Sequence, residues 1–168
     1  MIPGVLVAIL TFPGTIVHEW AHKMFCKWNG VSVIKVVYFR FGNPTGYVTH
    51  EKPTKVSQTF WISVGPLILN SIITIILGLT LNLITPDSFL YYFTLWLAFS
   101  IGSHSFPSDH DAKNVLADSR EQIKTGGHSM YYLAYPFFGL IWLANKFSFF
   151  WFDFIYAYLL IYLSTIIK

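Results

Sequence analysis

A chain of 168 residues carries 11 basic and 8 acidic side chains, whereas 54% of its residues are apolar. Soluble domains hold roughly a quarter charged residues; here 16 phenylalanines and 10 tyrosines outnumber all the charges. That balance excludes a disordered chain and a nucleic-acid partner held on a basic surface, and the single cysteine, Cys26, excludes an internal disulfide or a Cys-built zinc site.

What remains is an all-α membrane protein, a polytopic helical bundle in which residues 1–168 form a single membrane-embedded domain. A spanning helix needs roughly 20 mostly apolar residues. The first such stretch is 2–26, which lacks a basic n-region and a small-residue cleavage site and is therefore expected to be retained. Residues 31–41 are rich in Val, Tyr and Phe. Gly42-Asn43-Pro44-Thr45-Gly46 supplies turn chemistry and 47–49 resumes the pattern, predicting a β-hairpin. Further spans are predicted at 60–84 and 89–106. A polar loop over 108–128 opens like a helix, and apolar stretches at 130–145 and 147–167 follow. The last two lie close enough to fuse, so the bundle has four to five spans: a core over 1–125 and additional C-terminal spans over 129–168.

Basic residues give the orientation. Lys23, Lys27, Lys35, Arg40, Lys52 and Lys55 fall between spans one and two, and Lys113, Arg120 and Lys124 between spans three and four. Basic loops stay cytoplasmic, so the N-terminus is expected outside. With five spans Lys168 joins the inner side and Lys146 alone lies opposite. The abundant Trp and Tyr residues suit interfacial anchoring in the bilayer.

The informative run is His18-Glu19-Trp20-Ala21-His22. On a helix, residues four apart share a face, so both imidazoles can reach one metal ion while Glu19 stands beside them as a base for water. This is the H-E-x-x-H zinc pattern. Two helix histidines bonded to neighbouring groups are the plain alternative, but ionisable groups inside a span are rare and usually functional. By rise per residue His18 lies roughly 24 Å into the first span, past the bilayer midpoint and towards the inner side. A catalytic zinc usually has three protein ligands and one open position. The third is sought among His104, Asp109, His110 and Asp111, at the inner end of span three. Ser108 and Asp111 also have the spacing of a helix capping box, which gives Asp111 a structural reading.

An H-E-x-x-H within a span, a hairpin, a span bearing Gly65-Pro66, and an Asp soon after Pro107 together resemble the site-2 protease family of intramembrane zinc metalloproteases, over residues from about 10 to 120. The resemblance implies Zn2+ on His18, His22 and an Asp that the family follows with Gly. Asp111-Ala112 fits best, with Ala replacing Gly, and Asp109 is the runner-up. It implies Glu19 as the catalytic base, a membrane-protein substrate cut in or near a transmembrane helix, and a place in regulated intramembrane proteolysis. The family's Asn after Gly-Pro corresponds to Asn70, one residue late, as a substrate-binding candidate. The hairpin, with Val36 on its first strand, is a second candidate, since it can pair with an extended substrate. The rival is a non-catalytic zinc-binding membrane protein, either an inactive relative or a metal transporter. A transporter is expected to carry polar or acidic groups along several spans, and an inactive relative has no use for Glu19. His50 and His128 are read as solvated loop residues, His104 as a possible orienting partner, and Cys26 as a small packing residue. No feature of the sequence sets an oligomeric state.

Overall fold

The computed structural model describes residues 4–108, Asp111, Lys113, Ala117 and 152–167. The stretch predicted as a fourth span (130–145), Asp109, His110 and His128, and Arg120, Lys124, Lys146 and Lys168 lie outside the described residues. In chain order the elements are α1 (Gly4–Leu10), α2 (Phe12–Trp28), β1 (Val33–Val37), β2 (Tyr47–His50), α3 (Val56–Leu81), α4 (Phe89–Gly102) and α5 (Phe152–Ile166). Asp111, Lys113 and Ala117 are helical. The fold is mostly helical with one small antiparallel sheet.

The apolar stretch at 2–26 is not one helix but two. Pro13, in the first turn of α2, has no N–H to donate and its ring crowds the preceding turn, so the chain breaks at Thr11. The backbone groups freed there are taken by α4. Gly14 N–H donates to Ser100 Oγ (3.1 Å) and Ser100 Oγ–H to the Thr11 carbonyl (2.8 Å). Trp96 Nε1–H donates to the Leu10 carbonyl (3.1 Å). This side-chain latch requires close backbones. A Cβ built on Gly14 lies 2.0 Å from the Ser100 carbonyl oxygen and 2.5 Å from His104 Cδ2. Gly14→Ala must therefore push α2 and α4 apart, and a loss of about 1–3 kcal/mol is expected for such overpacking, measured as a lowered Tm in detergent.

At its other end α2 stops by a Schellman motif. Gly30 adopts φ +68°, open to glycine at little cost. Val31 N–H then reaches the Cys26 carbonyl (2.9 Å) and Gly30 N–H that of Lys27 (3.1 Å). The turn drops Val31 onto Phe25, Cys26 and Ile62, an apolar cluster in which Cys26 is fully buried. Gln58 Nε2–H bonds the Asn29 carbonyl (2.8 Å), tying this end of α2 to the first turn of α3.

The hairpin forms where expected, with a shorter first strand and a second strand that runs one residue further, to His50. Val33 faces His50, Lys35 faces Thr49, Val36 faces Val48 and Val37 faces Tyr47, with a register irregularity after Val33. From Tyr38 onward the chain leaves the ladder, and Arg40 N–H bonds the Thr45 carbonyl (2.7 Å) across the turn.

Among the described residues α3 alone is long and apolar enough by itself to cross a membrane. Its 26 residues span about 39 Å. Four to five such spans are therefore not what these residues display: the first is broken at Thr11, and α4 and α5 are shorter apolar helices of 14 and 15 residues. α3 packs on α2, α4 and α5, and Leu81, Ala98 and Ile161 form the core where the last three meet. Their outer faces expose large apolar side chains, including Ile76 at 56% and Leu163 at 55%. Large apolar side chains exposed in this number mark a surface made to be covered.

Candidate metal centre

The helical repeat of α2 sets His18 and His22 on one face, with ring centroids 4.8 Å apart and planes at 76°. His22 and Glu19 are buried and His18 is half-buried. Each imidazole is held by a backbone carbonyl from another segment. His18 Nδ1 lies 2.7 Å from the His104 carbonyl, just past α4, and His22 Nδ1 lies 2.9 Å from the Ile62 carbonyl of α3. A carbonyl only accepts, so both Nδ1 atoms carry the hydrogen and both neutral rings present a bare Nε2 lone pair. Those two Nε2 atoms face each other at 3.1 Å.

Asp111 completes the cluster from beyond α4. Its Oδ2 lies 3.5 Å from His22 Nε2 and accepts hydrogen bonds from Ser108 N–H (2.9 Å) and Ser108 Oγ–H (2.6 Å). The capping geometry and the convergence on the histidines are therefore both present, on one oxygen. Burial works against the charge of Asp111, but the electrostatic pull of His22 when that ring is protonated, together with the Ser108 hydroxyl, outweighs it and holds the carboxyl well below the usual carboxylate range.

Ligand-type atoms of His18, His22 and Asp111 all lie within 4.8 Å of one another. Two imidazole lone pairs and a carboxylate oxygen aimed at one point repel unless a cation sits among them. An N,N,O donor set with both rings fixed through Nδ1 is the arrangement that suits zinc. The residues present fit the metal.

Glu19 is 7% exposed and lies beneath the hairpin turn. Gly46 presses so close that a Cβ there would sit 2.7 Å from Glu19 Cγ. Beside Asp111 a cleft of about 290 Å³ opens between His50 and Lys52 on one side and Thr59 and Ser63 of α3 on the other.

The remaining sequence candidates fall elsewhere. Asn70 is fully buried, and its Nδ2–H group donates to the His104 carbonyl (2.9 Å) and the Ile101 carbonyl (3.3 Å). It thus shares with His18 the carbonyl that orients that ring. Val36 is half-buried in β1, paired with Val48. The His104 side chain bonds Thr11 Oγ1 (2.8 Å), so it is the His104 backbone that meets His18. His50 closes β2 and faces the cleft rather than standing free in a loop. Sequence reasoning missed the Ile62 carbonyl and Gly46. Gly46 left a visible signal as the last residue of a turn rich in Gly and Pro, and the Ile62 carbonyl left one in Pro66, four residues on.

The model of the DUF3267 family, described as "Putative zincin peptidase", matches residues 11–106, more than half of the chain. The chain belongs to this zincin peptidase family. No curated protein matches it, and neither does any solved structure. The match runs from the break before α2 to Phe106, taking in His18, Glu19, His22 and Gly65-Pro66 and ending short of Asp111. Membership of the zincin peptidase family makes zinc the implied cofactor and places the chain among zinc metallopeptidases.

Proposed function

We propose that this chain is an intramembrane zinc metalloprotease of the site-2 protease type, hydrolysing a peptide bond in or near a transmembrane helix of a membrane-protein substrate. The observation that carries the reading is the convergence of His18, His22 and Asp111 beside buried Glu19, on helices whose outer surface is apolar. A zincin peptidase built on such helices meets its substrate in the bilayer. Residues 1–168 then act as one membrane-embedded, multi-pass domain. The N-terminus lies outside and the site lies towards the basic, cytoplasmic side, where Lys23, Lys27, Lys35, Arg40, Lys52 and Lys55 gather.

In this reading His18, His22 and Asp111 hold the metal. Zinc, when bound, supplies a Lewis acid for the scissile carbonyl and lowers the pKa of water towards about 7. Glu19 takes the proton from the attacking water at its carboxylate and passes it to the leaving amine. The hairpin turn over Glu19 keeps bulk solvent off that carboxylate, and the cleft beside Asp111 receives the unwound substrate. Retention of Glu19 argues against an inactive relative, because a structural zinc site needs no base. A transporter is disfavoured by the way the buried polar groups of α3 and α4 are engaged. Those whose partners are known, such as Ser100, Asn70 and Thr74, bond backbone rather than line an acidic path.

The test is zinc content and cleavage of a panel of transmembrane peptides by the purified full chain, with and without a chelator. One zinc per chain and chelator-sensitive cleavage are expected; zinc without cleavage across the panel would overturn the reading. The two-stranded sheet has an unpaired outer edge on each strand among the described residues, which an extended substrate can extend. Val36→Pro is expected to lower cleavage roughly tenfold, the weight of about one hydrogen bond, with zinc content unchanged. Equal cleavage would remove the hairpin from substrate binding.

A further inference from the structure

His18 and His22 take their orienting carbonyls from different kinds of place. The His104 carbonyl lies just beyond the end of α4, where helix carbonyls lack intrahelical partners. The Ile62 carbonyl lies well inside the 26-residue helix α3, where it would ordinarily accept the N–H of residue 66. Residue 66 is proline, fully buried, and has no N–H to give. The ring also crowds the carbonyl four residues back and so turns it outward from the ladder. A carbonyl opened at a buried residue needs a donor from the protein, and its donor is His22 Nδ1, at 2.9 Å.

We propose that Pro66 is a positioning residue for His22, acting by withholding a backbone N–H so that the Ile62 carbonyl is reserved for the imidazole. The bond that results fixes the His22 tautomer and aims its Nε2 at His18 Nε2 and Asp111 Oδ2. An N–H at residue 66 would compete for the same carbonyl along the helix axis, leaving the imidazole free to turn or to move its hydrogen to Nε2, where it blocks metal binding. Asn70, one turn further on, supports the other ring through the His104 carbonyl, so a single face of α3 sets both. The inference rests on the reading of His22 as a zinc ligand.

The test compares two replacements that both lose the ring and differ in one group. Pro66→Ala restores the N–H. Lactic acid incorporated at position 66 carries the same methyl group but puts an ester oxygen where the N–H would be. Zinc affinity of the full chain in detergent is read by competition with a chromophoric chelator, and the His22 Nδ1–H proton is followed by NMR on ¹⁵N-histidine protein. Pro66→Ala is expected to bind zinc about ten- to a hundredfold more weakly, as for loss of an outer-shell partner, with the Nδ1–H signal shifted or lost. The ester is expected to stay within about threefold of wild type, because no competing donor has returned. Pro66→Gly supplies the same N–H with more backbone slack and replaces the alanine variant if that one does not accumulate. Equal affinities for the N–H and ester variants would overturn the inference while leaving the metalloprotease reading intact. Unaltered zinc binding by His22→Ala would overturn both.

Discussion

Glu19→Gln is expected to keep zinc at the wild-type level and to lower peptide cleavage by about a thousandfold, within the range of losses for a general base. Glutamine preserves the shape of the side chain in a place with little slack, since even a single methyl group at Gly46 would sit 2.7 Å from Glu19 Cγ. It removes only the ability to take a proton. In the proposed reading the metal is held by His18, His22 and Asp111 and not by Glu19, so metal content separates a chemical loss from a structural one. Metal analysis and the cleavage rate, measured on one preparation, check the expectation. Cleavage within tenfold of wild type would show that another group accepts the proton.

Asp111→Asn is expected to weaken zinc binding on the order of a hundredfold or more, beyond the usual cost of an outer-shell partner, with little change in the Tm of the metal-free protein. The amide oxygen of asparagine can still accept from Ser108 N–H and Oγ–H, so the cap survives. The negative charge facing His22 does not. If Asp111 served only as a cap, zinc affinity would be unchanged, and a competition titration with a chelator distinguishes the outcomes. Because its surroundings hold the Asp111 carboxyl below its ordinary range, the side chain stays charged through mildly acidic conditions. Loss of metal between about pH 7 and 5 would therefore report on the imidazoles.

His18, Glu19 and His22 are legible in the sequence because the helical repeat alone brings them together, whatever the rest of the chain does. Asp111 is separated from them by the hairpin and two helices. Spacing leaves it among four candidates, and the packing of α4 on α2 brings Asp111 to the histidines, whereas Asp109 and His110 lie outside the described residues. The hairpin is legible from its turn residues, although the strands end at Val37 and begin at Tyr47, because the turn's own hydrogen bonds take over at Arg40. The break at Thr11 was open to a sequence reading, since Pro13 stands in plain view. Hydropathy hides it by averaging over the whole stretch, and the partners that satisfy the broken turn, Ser100 and Trp96, lie far along the chain. Asn70 shows the opposite limit. Its type and neighbourhood point to the site, but its burial among carbonyls is a property of α4's end, which no local pattern encodes.

The latch between the first two helices and α4 bears on biogenesis. A nascent segment with broken hydrogen bonding is a poor guest in hydrocarbon until partners arrive. The side chains that complete the Leu10–Gly14 turn are those of Trp96, which donates to the Leu10 carbonyl, and Ser100, which donates to the Thr11 carbonyl and accepts from Gly14 N–H; both leave the ribosome long after it. On the membrane reading proposed above, the amino-terminal segment settles only once α4 has been made, and the pairing of His18 with its partners beyond α4 waits with it.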